Sequence, residues 1–317
     1  DGQVAVFSTA DGLFAVGLLT GRRLWTRAYE TPLPLDLVPH RDRLFAVSDG
    51  FVVAAPRDGH LSLMRLLDGA TAWERDLRGE PVARLWMFGD TIVTADAAMK
   101  RAQILDRRTG DLRARVFFRQ PDPKFGPVRL VRVGDVLCGP DSDAQSDGLV
   151  GISLADGERR WRIDVDRPVA QLFEPDDHLL GAGLLGGGVR IVDPASGEVV
   201  MERQIASASA VTDGKFVNGT LVVQSERGRG QAQAPTLTGI DVATDEELWR
   251  REDLAGVSGE SPGAMRIVGS VIPAIVQTDR VAGAAVRRDI MALVTIDVRT
   301  GNNVGSPAEL PTYNTGT

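Results

Sequence analysis

The sequence predicts an all-β fold, a seven-bladed β-propeller built from four-stranded antiparallel blades. Three observations predict it: a short turn motif recurs about every 47 residues, the segments between its copies are strand-like, and no capped helix pattern of twelve or more residues occurs. Seven copies favour seven blades over eight. No candidate linker separates domains, so we expect residues 1–317 to form a single propeller domain.

The recurring turn has a glycine, or its equivalent, at one fixed position. These positions are Gly21, Gly69, Gly110, Gly157, Gly197, Asp245 and Gly301. Their successive spacings are 48, 41, 47, 40, 48 and 56 residues. Internal repetition with this period is typical of propellers and solenoids. A glycine in such a turn supplies the positive φ that a tight turn with a bulge requires.

The residues between two turns have the pattern of four strands. In one repeat the strand-like segments are 81–88, 90–95, 102–106 and 112–118. They are rich in Val, Ile, Leu, Phe and Thr, and their length suits strands better than helices. The same rhythm occurs over 127–165 and 169–205. Four strands in each of seven units predict the propeller.

Two side chains of the repeat are predicted to be structural. An Asp three residues before the Thr position can accept hydrogen bonds from the turn amides. It is present as Asp106, Asp193, Asp241 and Asp297. A Trp four residues after the Gly can pack between blades while its N–H meets a backbone acceptor. It is present as Trp25, Trp73, Trp161 and Trp249, and is replaced by Ala114, Met201 and Gly305.

The chain termini are expected to close the propeller. Residues 4–8 pair naturally with residues 13–18 as second and third strands, so the first unit lacks an innermost strand. A blade that mixes strands from both termini removes an exposed edge. We therefore expect residues 312–315 to complete the first blade. Because the chain begins at Asp1 without methionine, we also expect that an upstream region was removed.

The pattern Asp-x-x-Thr-Gly-x-x-x-Trp resembles the repeat of the PQQ-like β-propeller family, in its quinoprotein-type and BamB-like forms. The sixth unit alone carries both the Asp and the Trp, as Asp241 and Trp249. The family includes quinoprotein alcohol dehydrogenases, a propeller lipoprotein of outer-membrane β-barrel assembly, and extracytoplasmic sensor and adaptor domains. The resemblance implies the fold and a periplasmic or extracellular location, whereas it implies no particular activity.

The candidate functional residues lie in long loops that a propeller places on one face. These loops are 119–127, 139–148, 226–235 and 278–289. The candidate partner-binding residues are Asp141, Asp143, Asp147, Arg227, Arg229, Arg280, Arg287 and Arg288. Long loops on a rigid scaffold commonly carry binding. The alternative is drift in surface loops without function.

Two of these loops have further interpretations. Asp141, Asp143 and Asp147 are hard ligands suited to calcium, but their spacing lacks a fifth-position carboxylate and a distal Glu. A solvated acidic hairpin is therefore favoured. The arginine loop 226–230 can receive an anion or an acidic partner, and a solvent-exposed loop is the favoured alternative.

Composition and residue spacing argue against several functions. With 36 basic and 43 acidic side chains, the net charge of −7 disfavours nucleic acid as a partner. The sequence contains no run of 18 apolar residues, which is the pattern that would predict a membrane-spanning helix. Cys138 cannot form an intrachain disulfide and is predicted to be a small buried hydrophobe. The three histidines lie in different units without metal-ligand spacing.

We therefore expect a non-catalytic binding or scaffold module of the cell envelope, without cofactor or metal, that binds a protein partner as a monomer or as part of a longer chain or complex. One alternative is a PQQ-dependent dehydrogenase. The resemblance implies that such enzymes have eight blades, nearly twice this length and often adjacent cysteines, which Cys138 alone cannot supply. The other alternative is a carbohydrate-active propeller, which 5% aromatic residues disfavour.

Overall fold

The computed structural model describes residues 3–9, 12–28, 45–55, 60–77, 82–122, 127–143, 145–227, 234–254, 265, 267–279 and 289–309. All the elements within these ranges are β-strands, arranged in seven antiparallel sheets. The described residues include no helix with the length and apolar character needed to cross a membrane. The chain divides into two compact units, Asp1–Pro127 with Ile152–Arg159 (unit 1) and Val128–Gly151 with Arg160–Thr317 (unit 2).

Unit 1 contains the first three sheets. The first is β1 (Val4–Thr9), β2 (Gly12–Gly17) and β3 (Arg23–Ala28). The second is β4 (Phe45–Ser48), β5 (Phe51–Ala54), β6 (His60–Arg65) and β7 (Thr71–Asp76). The third is β8 (Arg84–Phe88), β9 (Thr91–Ala95), β10 (Arg101–Asp106) and β11 (Leu112–Phe117). In each sheet, strands that follow one another in the chain lie side by side.

The fourth to seventh sheets follow in the same order. The fourth is β12 (Val131–Val133), β13 (Val136–Pro140), β14 (Asp147–Ser153) and β15 (Arg159–Val165). The fifth is β16 (Val169–Phe173), β17 (Leu180–Leu184), β18 (Gly188–Val192) and β19 (Val199–Gln204). The sixth is β20 (Ala210–Val217), β21 (Thr220–Arg227), β22 (Ala234–Asp241) and β23 (Glu247–Arg251). The seventh is β24 (Val271–Asp279), β25 (Asp289–Asp297) and β26 (Ala308–Glu309).

Seven sheets, mostly of four strands, confirm the predicted fold class of a propeller with about seven blades. The first sheet begins with β1 paired to β2, so its described part has three strands. Residues 312–315, expected to complete that blade, lie outside the described residues. The single-domain organisation stays a prediction.

Burial explains why these segments form strands. Strands β9, β13 and β17 are buried at every position, which suits inner strands covered on both sides. The outermost strands β7 and β19 alternate between exposed and partly buried positions. Such alternation is the period-two pattern of a strand with one covered face.

Two connections are shorter than the sequence indicated. Strand β21 continues to Arg227, which pairs with Ala234 at the start of β22. In the seventh sheet Asp279 pairs with Asp289, so both strands there are nine residues long. The loops predicted at 226–235 and 278–289 were thus drawn too wide, because ladder pairing extends beyond the apolar segments.

Candidate functional site

Four tryptophans make one repeated contact with the next sheet along the chain. Each indole Nε1 donates to a backbone carbonyl that lies three residues before the turn glycine of that sheet. The pairs are Trp25 to Leu66 at 2.8 Å, Trp73 to Arg107 at 2.7 Å, Trp161 to Pro194 at 2.6 Å, and Trp249 to Val298 at 2.7 Å. The contact joins the outermost strand of one sheet to the next sheet, and it gives the indole N–H of a large apolar ring a hydrogen-bond acceptor.

The turn glycine is required by the same contact. A Cβ at Gly69, Gly110, Gly197 or Gly301 would lie 2.8, 2.9, 2.7 or 2.6 Å from the nearest atom of the indole. All four glycines also have φ between +68° and +80°. Two independent demands, a left-handed backbone and room for a ring, therefore fall on one residue.

Two of the three repeats that lack the tryptophan depart from this pattern in different ways. On the third sheet Ala114 takes the position of the tryptophan. A Cβ at Gly157 would lie only 2.1 Å from the Ala114 Cβ. The turn at Gly157 therefore lies close to Ala114 and leaves no room for an indole there. On the fifth sheet Met201 replaces the tryptophan, and in the turn of the sixth sheet Asp245, with φ of 58°, replaces the glycine.

Both replacement residues line a cavity of about 720 Å³ within unit 2. Its lining consists of residues 200–202, residues 216–219, Asp176, Leu179, Val242 and Asp245. We call this cavity the Met201 groove. The sequence shows both replacements, but the turn motif of a single repeat does not connect them. Their coincidence in consecutive units is the signal that could have located the groove.

The four repeat aspartates hold the turn backbone. Asp106 Oδ1 accepts from the amides of Arg108 and Thr109, at 2.8 and 3.0 Å. Asp193, Asp241 and Asp297 accept from amides at the corresponding places in their own turns. Hydrogen bonds to the charged form hold the pKa of each carboxyl below its usual range. Arg113, which donates to Asp106 Oδ2, lowers that pKa to about 2.

The acidic hairpin is less solvated than the sequence indicated. Asp141 is only 8% exposed, and Arg162 Nε donates to its Oδ2 at 2.8 Å. Arg162 also donates to the hydroxyl of Ser146 at 2.8 Å. Asp143 Oδ1 accepts from the amides of Gln145 and Ser146, at 2.8 and 2.9 Å. The prediction of a solvated acidic hairpin was wrong for Asp141, because Arg162, 21 residues later on β15 of the same sheet, pairs with its carboxylate.

The other candidate residues are only partly described. Asp147 is the first residue of β14, and Arg227 is the last of β21. Arg229, Arg280, Arg287 and Arg288 lie outside the described residues. Among the residues the structure does describe, no three His, Cys, Asp or Glu side chains are grouped so that they could hold a metal ion.

Two buried titratable groups have packing roles. Cys138 lies fully buried in β13, and this burial raises the pKa of its thiol. Asp213, on β20, is buried as well, and desolvation raises the pKa of its carboxyl. Its two oxygens accept from the amides of Gly214 at 2.8 Å and Met265 at 2.6 Å. Asp213 thereby ties a segment preceding the seventh sheet to the sixth.

Comparison with known structures finds the same fold. BamB from Moraxella catarrhalis superposes with a TM-score of 0.55 at 18% identity, over 83% of this chain and 72% of that one. Quinohemoprotein alcohol dehydrogenase from Comamonas testosteroni gives 0.58 at 12% identity, over 98% of this chain and 66% of that enzyme. The computationally designed Ika8 protein gives 0.58 at 15% identity, over 86% and 77%. At these identities the similarity shows the fold alone.

Comparison by sequence identifies the family. No curated protein sequence matches the chain. The family profile described as outer membrane protein assembly factor BamB matches it twice, over residues 1–140 and 141–306. The two matches together cover nearly the whole sequence, and the repeat turns fall inside them. The chain therefore belongs to the family of the outer membrane protein assembly factor BamB.

Proposed function

We propose that this protein is a non-catalytic binding module of the cell envelope, which presents the connections between second and third strands to a protein partner. The observation that carries the proposal is a set of three connections in unit 2, which are six, six and nine residues long. They are the β13–β14, β21–β22 and β24–β25 connections. Membership in the BamB family supports both the partner-binding role and the cell-envelope location.

The order of the acidic hairpin supports this proposal. Strand pairing holds its base, since the Asp141 amide donates to the carbonyl of Gly148 at 2.8 Å. Its tip is closed by the Asp143 carboxylate and by a hydrogen bond from Arg162 to Ser146. A loop that is ordered before binding loses less conformational entropy when a partner docks. Asp143 is exposed at the tip of this hairpin.

Affinity capture from a cell-envelope extract tests the proposal. The native chain is compared with a variant whose residues 142–146, 228–233 and 280–288 are replaced by short Gly/Ser turns. The control carries Leu67→Ser, which changes an exposed residue in a turn between third and fourth strands. We expect one identified protein to be captured by the native chain and the control only. Equal capture by the loop variant would contradict the proposal.

A quinoprotein dehydrogenase is the second candidate, because a quinohemoprotein enzyme shares the fold over 98% of this chain. The purified chain is titrated with pyrroloquinoline quinone and calcium, then assayed for alcohol-dependent reduction of a dye. We expect neither saturable binding nor dye reduction. Turnover in this assay would overturn the non-catalytic role.

A further inference from the structure

The Met201 groove lies where one junction of unit 2 departs from the repeated tryptophan contact. At two other junctions in this unit a tryptophan fills the corresponding space, Trp161 against Gly197 and Trp249 against Gly301. At the junction between the fifth and sixth sheets the side chain of Met201 takes that position, and it is only partly buried. The volume of about 720 Å³ lies within the range of small-ligand sites.

The floor of the groove is apolar and accessible. Met201, Leu179 and Phe216 are partly buried and pack against the core between the fifth and sixth sheets. The walls include Val200, which is 52% exposed, and Val242, which is 42% exposed. Apolar side chains exposed together around a concave surface mark an interaction site more often than scattered ones do.

One backbone acceptor in the groove corresponds to those that bind indoles elsewhere. Val242 lies three residues before Asp245, as Pro194 and Val298 lie three residues before their turn glycines. Its amide donates to Gly219, like the Val298 amide to Ser270. The described residues supply no hydrogen-bond donor to the Val242 carbonyl. The groove therefore offers a backbone carbonyl as a hydrogen-bond acceptor, whereas at the two tryptophan junctions of unit 2 the corresponding carbonyl accepts from an indole.

The rim of the groove is acidic. Glu202 accepts from Arg190 at 2.8 Å, and Asp245 pairs with Arg203 at 2.6 Å. Asp176 accepts only from the amides of His178 and Leu179 among the described residues, at 2.7 and 2.8 Å. Its carboxylate is thus the charge on this rim that a ligand can neutralise. An apolar floor beside an uncompensated carboxylate suits a large apolar side chain next to a cationic one.

We propose that the Met201 groove binds a peptide segment of a partner protein, with an aromatic side chain on Met201 and Phe216 and an adjacent Arg or Lys at Asp176. The inference rests on the proposed partner-binding function and adds a second contact surface to it. An indole in this position can donate to the Val242 carbonyl. The Asp245 side chain keeps the ring away from the turn, so the occupant enters from solvent rather than from the chain's own strand.

A labelled peptide Gly-Arg-Trp-Arg-Gly is the probe, measured by fluorescence anisotropy and by methyl NMR. Met201 is one of six methionines, so its methyl resonance reports binding at the groove, whereas that of the fully buried Met64 serves as a silent reference. We expect the Met201 resonance to shift saturably. Replacing the Trp of the probe by Ala should weaken binding at least about tenfold, because the ring supplies most of the buried area.

Two variants locate the site. Met201→Trp with Asp245→Gly installs the repeat's own indole and should abolish peptide binding. Leu248→Trp, at an exposed position of β23, is the control and should bind like the native chain. Asp176→Asn should weaken binding about two- to fivefold at low salt and reduce its salt dependence, as loss of an exposed charge contact does. This second variant keeps the test valid if the double variant does not fold.

Three results would overturn the proposal: no shift of the Met201 methyl, equal affinity for the alanine peptide, or unchanged binding by both site variants. Binding of free indole without any preference for the flanking arginines would overturn the peptide as occupant and point to a small molecule. The loop variant used for partner capture leaves the groove intact. Failure of groove binding and failure of the proposed function therefore give separate results.

Discussion

The indole Nε1 of Trp161 donates to the carbonyl oxygen of Pro194 at 2.6 Å, while the same ring lies against the Cα of Gly197. One side chain of the fourth sheet thus depends on two features of the fifth: a backbone carbonyl that accepts its hydrogen bond and a glycine that leaves room for its ring. The relationship recurs at three other junctions. It indicates that sheet-to-sheet packing in this fold depends on pairs of residues, each of which constrains the other.

Gly197→Ala should destabilise the protein more than Gly219→Ala. Both glycines have φ of +80°, so both variants place alanine in a left-handed backbone at a cost of about 1–2 kcal/mol. Only at Gly197 would the new Cβ meet the indole, at 2.7 Å, whereas Gly219 has open space. We expect a further 1–3 kcal/mol from overpacking, about as in other cores. Urea unfolding of both variants measures the difference, and equal losses would show that the ring contact is unimportant.

Met201→Trp and Asp245→Gly should stabilise the protein only when combined. The tryptophan alone meets the Cβ of Asp245, and the glycine alone loses the ion pair with Arg203. Together they rebuild the contact that Trp249 makes with Gly301. We expect a favourable coupling free energy of about 1–3 kcal/mol in a double-mutant cycle. Additive effects in thermal and urea unfolding would contradict this interpretation of the groove.

The sequence predicted those parts of the fold that are local or repeated. The Asp106 turn needs only the next three residues, so its motif is visible in one short window. The acceptor of Trp161 lies 33 residues away, and only the repetition of the motif indicated that such an acceptor exists. The fold class followed from these two signals because the same packing contact recurs four times along the chain.

The candidate site was harder to predict because its relationships are neither local nor repeated. Asp141 is neutralised by Arg162, which is 21 residues away on another strand, and no spacing rule connects them. The Met201 groove coincides with two replacements in the repeat: Met201 stands in place of a tryptophan and Asp245 in place of a glycine. An absence becomes visible only when the outermost strand of one sheet is known to face the turn of the next.

Asp106→Asn should lower stability at neutral pH and have little effect near pH 2. Folding lowers the pKa of this carboxyl from 3.8 to about 2, chiefly through the hydrogen bond from Arg113. A lowered pKa contributes stability above the unfolded value, and this contribution is lost as pH falls from about 4 through 2. We expect a loss of about 1 kcal/mol at pH 7, because asparagine keeps the turn acceptor but not the charge.

Unfolding of this variant is measured between pH 2 and 7, with Asp241→Asn as control. Asp241 accepts from the same kind of turn amides, and these amides rather than an arginine hydrogen bond are the main cause of its lowered pKa. The control should therefore show a smaller pH dependence. A constant difference between wild type and Asp106→Asn over the whole range would argue against the ion pair as the cause.

Arg162→Met should lower the free energy of unfolding much more than Arg160→Met does. Both arginines project from β15, but Arg162 bonds to the buried Asp141 and Arg160 to the exposed Asp135. The substitution takes an arginine away from a buried carboxylate, and breaking such an ion pair costs about 3–5 kcal/mol when the pair is fully buried. We expect somewhat less here, about 2–3 kcal/mol, against less than about 1 kcal/mol for the exposed pair.

Hydrogen exchange locates the effect of Arg162→Met. The Asp143 amide, bonded to the Ser146 carbonyl at 2.8 Å, should lose protection, whereas the amides of β17 should keep theirs. Adding Asp141→Asn to Arg162→Met removes the buried negative charge and should restore part of the stability. If the double variant is as unstable as the single one, packing of the Arg162 stem rather than its charge holds the hairpin, and the surface that we propose for partner binding would depend on shape instead of electrostatics.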